Sequence, residues 1–241
     1  MFVTSPALAV TPSFLVRPFT PHCEVIYRDA DHAVIGVSPG NSYFSTRRLR
    51  DLAHWGRARF DRVDFVYTDI HVAEMFEASG YSAQEARRKA VKNLRGVRAK
   101  ITAAAAAVDP DRTRIFVRPM SELRSNAAYR ELHRDITGRL AADADFRAVC
   151  HSLVARFLAT KTVAGQATRR QLEVCLDYIC AEAPLFLDTP AILGVPSSLN
   201  CYHQLLPMAD LLYARGAGLR ASRNQGHAIV TPDTGSEGAS R

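Results

Sequence analysis

Short apolar segments alternate with longer amphipathic ones along most of this 241-residue chain. The segments with strand-like patterns are 24–27, 33–37, 63–67, 115–117 and 227–230. The segments with helical periodicity are 43–60, 70–78, 83–108, 121–161 and 167–182. Strands that are separated by helices pair in parallel through right-handed crossovers. The alternation therefore predicts an α/β fold with a mainly parallel sheet flanked by helices.

Local signals predict where the helices begin and end. A capping-box pattern starts the long helix at Ser82, with Glu85 three residues later. Glycine, aspartate and proline commonly end helices or interrupt them. The expected breaks or stops are near Gly80, Gly138, Asp143 and Pro184.

Composition indicates a globular protein, with 47% hydrophobic and 23% charged residues. We expect one catalytic domain over 21–230, with flexible tails over 1–20 and 231–241. The longest apolar run, 101–108, is mostly alanine and too short to cross a bilayer. Five cysteines without a C-x-x-C pair indicate reduced thiols, no metal centre and a cytoplasmic protein. The net charge of +7 suggests a polyanionic partner.

Residues 36–40, with the sequence GVSPG, match the G-x-S-x-G pattern of a nucleophile elbow. A serine on a tight turn between strand and helix is accessible, and the N–H groups of the next helical turn stabilise negative charge. Ser38 is therefore a candidate nucleophile. The alternative is a glycine-rich turn in which Ser38 only caps a helix. A hydrolase would have several strands before its elbow, whereas here only the 24–27 segment precedes the 33–37 strand.

Two further groups of polar residues lie far downstream. Tyr178 and Glu182 are four residues apart, so both side chains lie on one face of a helix. The Glu182 carboxylate, beside the apolar residues that follow it, would have a raised pKa and serve as a general base or bind an ammonium group. The alternative is that Glu182 is an ordinary surface glutamate. Tyr202 is suited to proton relay, and His203 is either a base or a structural residue. The histidines with only a structural interpretation are His71 and His227.

The 83–108 helix has a strongly basic side. Its apolar stripe is expected to comprise Val91, Leu94, Val97 and Ile101. We define the basic face as Arg87, Arg88, Lys92, Arg95 and Arg98. Several cations on one rigid helix bind phosphates well, although the same pattern also occurs on a merely solubilising surface.

These motifs occur together in one family. The chain resembles the cyclodipeptide synthases, which use two aminoacyl-tRNAs to make a 2,5-diketopiperazine. The resemblance extends from about residue 24 to 230 and is carried by residues 36–45 (GVSPGNSYFS), Tyr178 with 181–186 (AEAPLF), 195–198 (VPSS) and 201–203 (CYH). Asn41, Tyr202 and His203 match the subfamily with asparagine, tyrosine and histidine at these places.

The resemblance implies a single Rossmann-like domain similar to the catalytic domain of class I aminoacyl-tRNA synthetases. It also implies a ping-pong reaction in which Ser38 carries first an aminoacyl and then a dipeptidyl group. Tyr178 and Glu182 would hold the α-ammonium group. The other implied site residues are Tyr202 as a proton relay, with Asn41 and His203 as supporting residues. The basic face would receive tRNA, and the enzyme would be a monomer without metal or cofactor.

Two aminoacyl pockets also follow from the resemblance. The residues expected in the first pocket are Val34, Gly36, Met120, Leu185 and Phe186. The residues expected in the second are Val66, Thr68, Lys161 and Asn200. Lys161 and Asn200 predict a polar or acidic second residue, such as glutamate, through charge-assisted hydrogen bonding.

Two other functions remain compatible with the residues alone. One is a serine hydrolase in which Ser38 works with His203 or His227. The other is a non-catalytic RNA-binding module with a Rossmann-like fold, in which the basic face binds RNA and no covalent intermediate forms.

Overall fold

The computed structural model describes residues 13–159, 168–206, 209, 212–213 and 219–233, without the side chains of 156, 157 and 159. The strands are β1 (Phe14–Pro18), β2 (His32–Val37), β3 (Arg62–Tyr67), β4 (Ile115–Pro119), β5 (Ser198–Tyr202) and β6 (Gln225–Pro232). The helices are α1 (Pro21–Asp29), α2 (Thr46–Arg59), α3 (Val72–Ala78), α4 (Ala83–Val108), α5 (Met120–Leu123), α6 (Ala127–Ala142), α7 (Ala144–Ala159) and α8 (Arg169–Leu193).

The six strands form one sheet in the order β1-β6-β5-β2-β3-β4. All neighbours pair in parallel except β1, which is antiparallel to β6. The chain passes from β2 outward to β4 and then returns to β5 on the other side of β2. Ligands of open α/β sheets bind at the carboxyl ends of the strands where the order reverses. This topology confirms the predicted fold class and predicts a site between β2 and β5.

The strands have two chemically different faces because successive side chains point in opposite directions. The apolar face includes Ala33, Ile35, Phe65, Leu199 and Ala228, which form one core with residues of α1, α2 and α4. The opposite face, here called the site face, carries His32, Val34, Gly36, Asp64, Val66, Thr68, Ser198, Asn200, Tyr202, Gln225 and His227. Helices α5, α6 and α8 pack against its apolar members. One side of the sheet therefore supplies the core, and the other is free to carry polar chemistry.

A buried hydrogen-bond network joins the strands on the site face. His32 Nδ1 lies 2.8 Å from Ser198 Oγ, and His32 Nε2 lies 3.0 Å from Asp64 Oδ2. Arg62 donates to the same Asp64 oxygen at 2.7 Å, and Arg118 donates to the other oxygen. Burial alone would raise the pKa of Asp64, but hydrogen bonds from His32 and Arg62 and their positive charge lower it to about 2. The network links β2, β3, β4 and β5.

The structure corrects the prediction for the N-terminal region. Residues 24–27 were expected to form a strand, but they belong to α1, whose N-cap is Thr20 and whose first residue is Pro21. Proline is favoured at this position because its missing N–H is not needed there. Residues 14–18 were assigned to the N-terminal tail, yet they form the edge strand β1. The C-terminal boundary shifts as well, because β6 continues to Pro232.

Helix boundaries agree with the predictions in part. The capping box of Ser82 and Glu85 is present, and α4 ends at Val108 as expected. The break at Asp143 is confirmed, but α6 continues through Gly138. Helix α2 starts at Thr46 rather than 43.

The largest difference concerns α8. It was expected to stop at Pro184, but it continues to Leu193 with Pro184 and Pro190 inside it. The backbone leaves helical geometry only at Asp188, with φ −159° and ψ 67°. There the N–H of Thr189 donates to the Gln225 side chain at 2.8 Å instead of to its own helix. Tertiary contacts therefore stabilise an interrupted helix where local sequence predicts a stop.

Candidate active site

Ser38 and Tyr202 meet where the strand order reverses. Ser38 directly follows β2, and Tyr202 is the last residue of β5, the strand next to β2. The Ser38 Oγ and the Tyr202 hydroxyl are 2.9 Å apart, so they share a hydrogen bond. Burial raises the pKa of Tyr202, which keeps the phenol protonated at neutral pH. The serine is therefore coupled to a neutral hydroxyl that can both accept and donate a proton.

The turn after Ser38 is longer than expected. Helix α2 begins eight residues after Ser38, and its N-cap is Ser45, whose hydroxyl accepts from the Arg48 N–H. The helix was expected to follow the serine directly, but its first residue is Thr46. Gly40 has a φ of +78°, and a Cβ atom on it would lie 3.2 Å from the Asn93 amide. Glycine thus allows the turn to pass close to α4.

Asn41 and His203 lie beside this pair. The Asn41 side-chain amide is 3.2 Å from His203 Nε2, and the Asn41 carbonyl oxygen accepts from the Tyr43 N–H at 3.0 Å. The Tyr43 ring stacks on His203 with centroids 4.0 Å apart. These contacts hold the turn against the end of β5. His203 therefore packs in the structure that supports the turn, while Ser38 shares a hydrogen bond with Tyr202.

Glu182 lies in the same region and accepts hydrogen bonds from neighbouring side chains. Thr68 Oγ1 donates to Glu182 Oε1 at 2.8 Å, and the Tyr178 hydroxyl donates to Thr68 at 3.3 Å. Burial raises the pKa of Glu182, although hydrogen bonds with Tyr178 and Thr68 oppose this effect. A carboxylate in this environment is poised to take up a proton or to pair with an incoming cation.

A first cavity of about 150 Å³ connects these groups. Ser38, Tyr178, Glu182 and Tyr202 all line it. The residues predicted for the first pocket line it too: Val34, Gly36, Met120, Leu185 and Phe186. Val66, Thr68 and Asn200, predicted for a second pocket, line the same cavity, and Lys161 lies outside the described residues. The two predicted sets are thus one cavity, because β5 and β3 are the two neighbours of β2.

A second cavity of about 510 Å³ adjoins the first. Ser38, Tyr178, Tyr202 and Gln204 line both cavities. The remaining wall of the second cavity comes from the turn after Ser38, from Leu158 of α7 and Gln171 of α8, and from α3. The apolar side chains of α3 in this wall are Val72, Met75 and Phe76. Ser38 therefore lies between two spaces.

Sequence reasoning missed several of these contacts. Thr68 was expected only as a pocket wall, yet it is a hydrogen-bond partner of Glu182. His227 received a structural interpretation, yet it lines the first cavity together with Leu206. The available signal was the strand period: His227 lies in register with Asn200 on the neighbouring strand, on the same face.

The structure contains a serine, a histidine and an aspartate in hydrogen-bonded order, but away from Ser38. Ser198, His32 and Asp64 are at most 1% exposed. A nucleophile needs access to its substrate, so this arrangement is structural. The hydrolase alternative, which pairs Ser38 with His203 or His227, has no support in these hydrogen bonds.

The basic face lies on the exposed side of α4. Arg87, Arg88, Lys92, Arg95 and Arg98 are all exposed. The buried side of the helix comprises Ala86, Ala90, Val97, Ile101, Ala104 and Ala105. Val91 was expected in the apolar stripe but is 56% exposed. Among the described residues, no helix is long and apolar enough to span a membrane, and no group of acidic, histidine and cysteine side chains is placed to hold a metal ion.

The sheet and its cavity define a Rossmann-like enzyme whose polar groups lie at the switch point of the strands. A sequence model of the cyclodipeptide synthase family matches residues 14–232. The chain belongs to this family and is a tRNA-dependent aminoacyltransferase.

Similarity to individual relatives agrees with this assignment. A cyclo(L-tyrosyl-L-tyrosyl) synthase from Mycobacterium tuberculosis is 69% identical over 95% of this chain and 79% of its own length. A cyclo(L-leucyl-L-phenylalanyl) synthase from Streptomyces noursei is 36% identical over 86% of this chain and 87% of its own. A solved M. tuberculosis structure, described as relating cyclodipeptide synthetases to type I tRNA synthetases, superposes with a TM-score of 0.89 at 67% identity. The superposition covers 96% of this chain and 100% of the M. tuberculosis chain.

Proposed function

We propose that this enzyme synthesises a cyclodipeptide from two tyrosyl-tRNAs by a ping-pong reaction through Ser38. The hydrogen bond between Ser38 and Tyr202, in a cavity that also contains Glu182, is the observation that carries the proposal. The identity of the amino acids is supported by the 69% identical relative, which is named a cyclo(L-tyrosyl-L-tyrosyl) synthase. An aminoacyl ester is already activated, so the serine needs only positioning and proton transfer.

In the first step, Ser38 Oγ attacks the ester carbonyl carbon of tyrosyl-tRNA. The serine proton passes to the Tyr202 oxygen as Tyr202 gives its own proton to the departing 3′ oxygen of the tRNA. Tyr202 is unchanged at the end of the exchange, which balances the protons without a strong base. The 2.9 Å contact supports this relay, because proton transfer requires hydrogen-bond distance. The step leaves tyrosine esterified to Ser38 and releases uncharged tRNA.

Glu182 and Tyr178 bind the α-ammonium group of the tyrosyl-Ser38 intermediate. The buried carboxylate supplies the opposite charge and takes one proton, which makes the amine nucleophilic. That amine attacks the ester of a second tyrosyl-tRNA, and the proton it loses goes to the departing 3′ oxygen, so that a dipeptide remains on Ser38. Glu182 gives its proton to solvent and takes one from the new terminal ammonium group. The neutral amine then attacks the Ser38 ester and closes the ring, and the proton it loses restores the serine hydroxyl. Holding this amine near the ester lowers the barrier through proximity, by up to about 7–11 kcal/mol.

The second aminoacyl group is assigned to the second cavity. That cavity shares Ser38 and Tyr202 with the first, and α3 gives it an apolar wall suited to an aromatic ring. The sequence prediction of a polar or acidic residue rested on Lys161 and Asn200. One N–H of the Asn200 amide donates to the Leu185 carbonyl at 2.8 Å, and the unpaired side-chain oxygen would repel a carboxylate. Asn200 lines the first cavity and is not among the described residues that line the second, so it gives no support for an acidic second residue.

The basic face is assigned to the tRNA. It is on the same helix as Asn93, which packs against the turn after Ser38. Phosphates bound along α4 would therefore bring the acceptor end of a tRNA towards the serine. Cations on one rigid helix bind such a backbone mainly by releasing counterions.

Transfer of labelled tyrosine tests the proposal. The protein is mixed with radiolabelled tyrosyl-tRNA and quenched in acid, and label on the protein is counted. We expect label on the wild type and on Ser125→Ala, an exposed serine on a remote loop, but none on Ser38→Ala. Tyr202→Phe should slow labelling by about 100-fold or more, because it removes the relay. Folded wild-type protein without label would overturn the covalent mechanism, and cyclo(Tyr-Glu) as the main product would overturn the assignment of the second residue.

A further inference from the structure

Two buried polar side chains in the wall of the first cavity have atoms without hydrogen-bond partners among the described residues. Asn200 is 4% exposed and His227 is 0% exposed, and both line the cavity. Within the described part of the chain, neither the Asn200 side-chain oxygen nor either ring nitrogen of His227 has a partner of regular geometry. Leaving a buried polar group unpaired destabilises a folded protein. Two such groups together in the wall of one cavity indicate that a ligand supplies the missing partners.

Strand register places this pair at a suitable depth. Asn200 and His227 are direct partners in the parallel β5–β6 pair, so their side chains leave the same face about 5 Å apart. Tyr202 follows Asn200 by two residues on that face, which separates them by about 6–7 Å along the strand. This separation is comparable to the length of a tyrosine side chain. A tyrosyl group held at Ser38, beside Tyr202, would place its para position near the pair.

The surroundings keep the His227 ring fixed and uncharged. Three aromatic rings enclose it, with centroids 6.2, 5.8 and 6.1 Å away for Phe19, Phe186 and Tyr213. Burial lowers the pKa of His227 to about 4, against a smaller opposing effect of the nearby Asn200 carbonyl. A neutral imidazole has one N–H donor and one acceptor nitrogen. One N–H of the Asn200 amide donates to the Leu185 carbonyl, and the side-chain oxygen of Asn200 has no partner among the described residues.

We infer that Asn200 and His227 are the specificity-determining residues that recognise the phenolic hydroxyl of the first tyrosine; this inference rests on the proposed function. The hydroxyl donates to the Asn200 oxygen and accepts from the N–H of His227. Both groups are then paired without any charge entering the cavity. Phenylalanine has the same ring but leaves both groups unpaired. Sites built to bind a hydroxyl reject the analogue that lacks it by about 10⁴–10⁵-fold.

Competition between tyrosine and phenylalanine on one tRNA tests this inference. A single tRNA is charged with either amino acid, so that the nucleic acid contributes equally. The two charged forms are mixed in equal amounts with the enzyme and quenched in acid. Intact-protein mass spectrometry then separates the two acyl-enzymes, which differ by one oxygen. We expect the tyrosyl form of the wild-type enzyme to exceed the phenylalanyl form by at least about 100-fold. This bound is conservative, because comparable sites discriminate more strongly.

The variants test whether a change in the tyrosine-to-phenylalanine ratio reflects lost recognition of the hydroxyl or general damage to the protein. His227→Phe keeps an aromatic ring, and Asn200→Leu keeps the volume; each should lower the tyrosine-to-phenylalanine ratio by about 10-fold or more. His227→Gln restores a donor and should recover part of the ratio. His133→Phe is the matched control, because His133 stacks on Tyr129 and does not line the cavity. It should leave the ratio unchanged.

The outcomes distinguish the two proposals. Acylation of wild-type Ser38 by tyrosine and phenylalanine at equal rates would overturn the inference and leave the covalent mechanism intact. An unchanged ratio in folded His227→Phe would exclude His227 even if Asn200→Leu failed to fold. Absence of any acyl-enzyme from either amino acid would refute the mechanism through Ser38 instead.

Discussion

Replacing Asp64 by asparagine tests whether the buried trio of Ser198, His32 and Asp64 supports the sheet or takes part in catalysis. The pKa of Asp64 falls from 3.8 to about 2 in the folded protein because, although burial opposes ionisation, His32 and Arg62 favour it more strongly. A group with a lowered pKa stabilises the fold above its unfolded pKa and loses that effect as the pH falls. Ionised Asp64 therefore contributes about 2 kcal/mol at pH 7, and about 1 kcal/mol at pH 3.

Urea unfolding of wild type and Asp64→Asn at both pH values measures this difference. We expect the variant to be less stable by about 2 kcal/mol at pH 7, with the gap falling by about half at pH 3. Asp61→Asn is the matched control, since its carboxylate is 88% exposed and only 3.7 Å from Arg114. A gap that is the same at both pH values would refute the electrostatic reasoning and point to lost packing. Folded Asp64→Asn should still be acylated at Ser38, and loss of acylation would refute a structural role.

Two further predictions concern Glu182 and the basic face. Burial raises the pKa of Glu182, so its ionised form opposes folding above that pKa. Glu182→Gln should therefore melt at a higher temperature than wild type at pH 8, and this difference should vanish towards pH 4. Cyclodipeptide formation by the variant should fall by about 100-fold. A lower melting temperature at pH 8 would contradict this reasoning. Replacing Lys92 and Arg95 by alanine should lower kcat/KM and reduce its slope against log salt by about 1.4–1.8. Alanine at the exposed α6 residues Arg134 and Arg139 should not change the slope. Equal slopes for both double variants would place the tRNA elsewhere.

Buried strands were predictable from short apolar runs, and β2 and β3 lie where those runs placed them. The error at 24–27 arose because Val25 and Ile26 are β-branched and suggested a strand. The preceding Thr20 and Pro21 are a helix-start signal that outweighs this preference. At Pro184 the sequence predicted the end of a helix, but tertiary contacts stabilise its continuation. Such contacts cannot be inferred from the local pattern of one sequence. Sequence propensities therefore predicted helices and strands correctly where tertiary packing favours the same structure.

The site was predictable as a set of residues but not as a shape. Sequence motifs single out Ser38, Tyr178, Glu182 and Tyr202, and all four line one cavity. Their meeting depends on the placement of β5 beside β2, which is a long-range property of the strand order. For the same reason, the separation into two pockets failed: residues distant in sequence become neighbours only through that order. The polar pair of Asn200 and His227 was not predicted because His227, taken by itself, has the sequence context of an ordinary buried histidine.

Because side chains alternate along the strands, the two faces of the sheet tolerate different substitutions. Side chains on the apolar face hold the fold together, so a change there is tolerated only if packing is preserved. Near the carboxyl ends of the strands, the opposite face lines the first cavity instead. Positions 200 and 227 lie outside both apolar clusters that cover the sheet, so they can vary in combination without disturbing its packing. A library confined to these two positions should yield enzymes with new products more often than one spread over the whole chain.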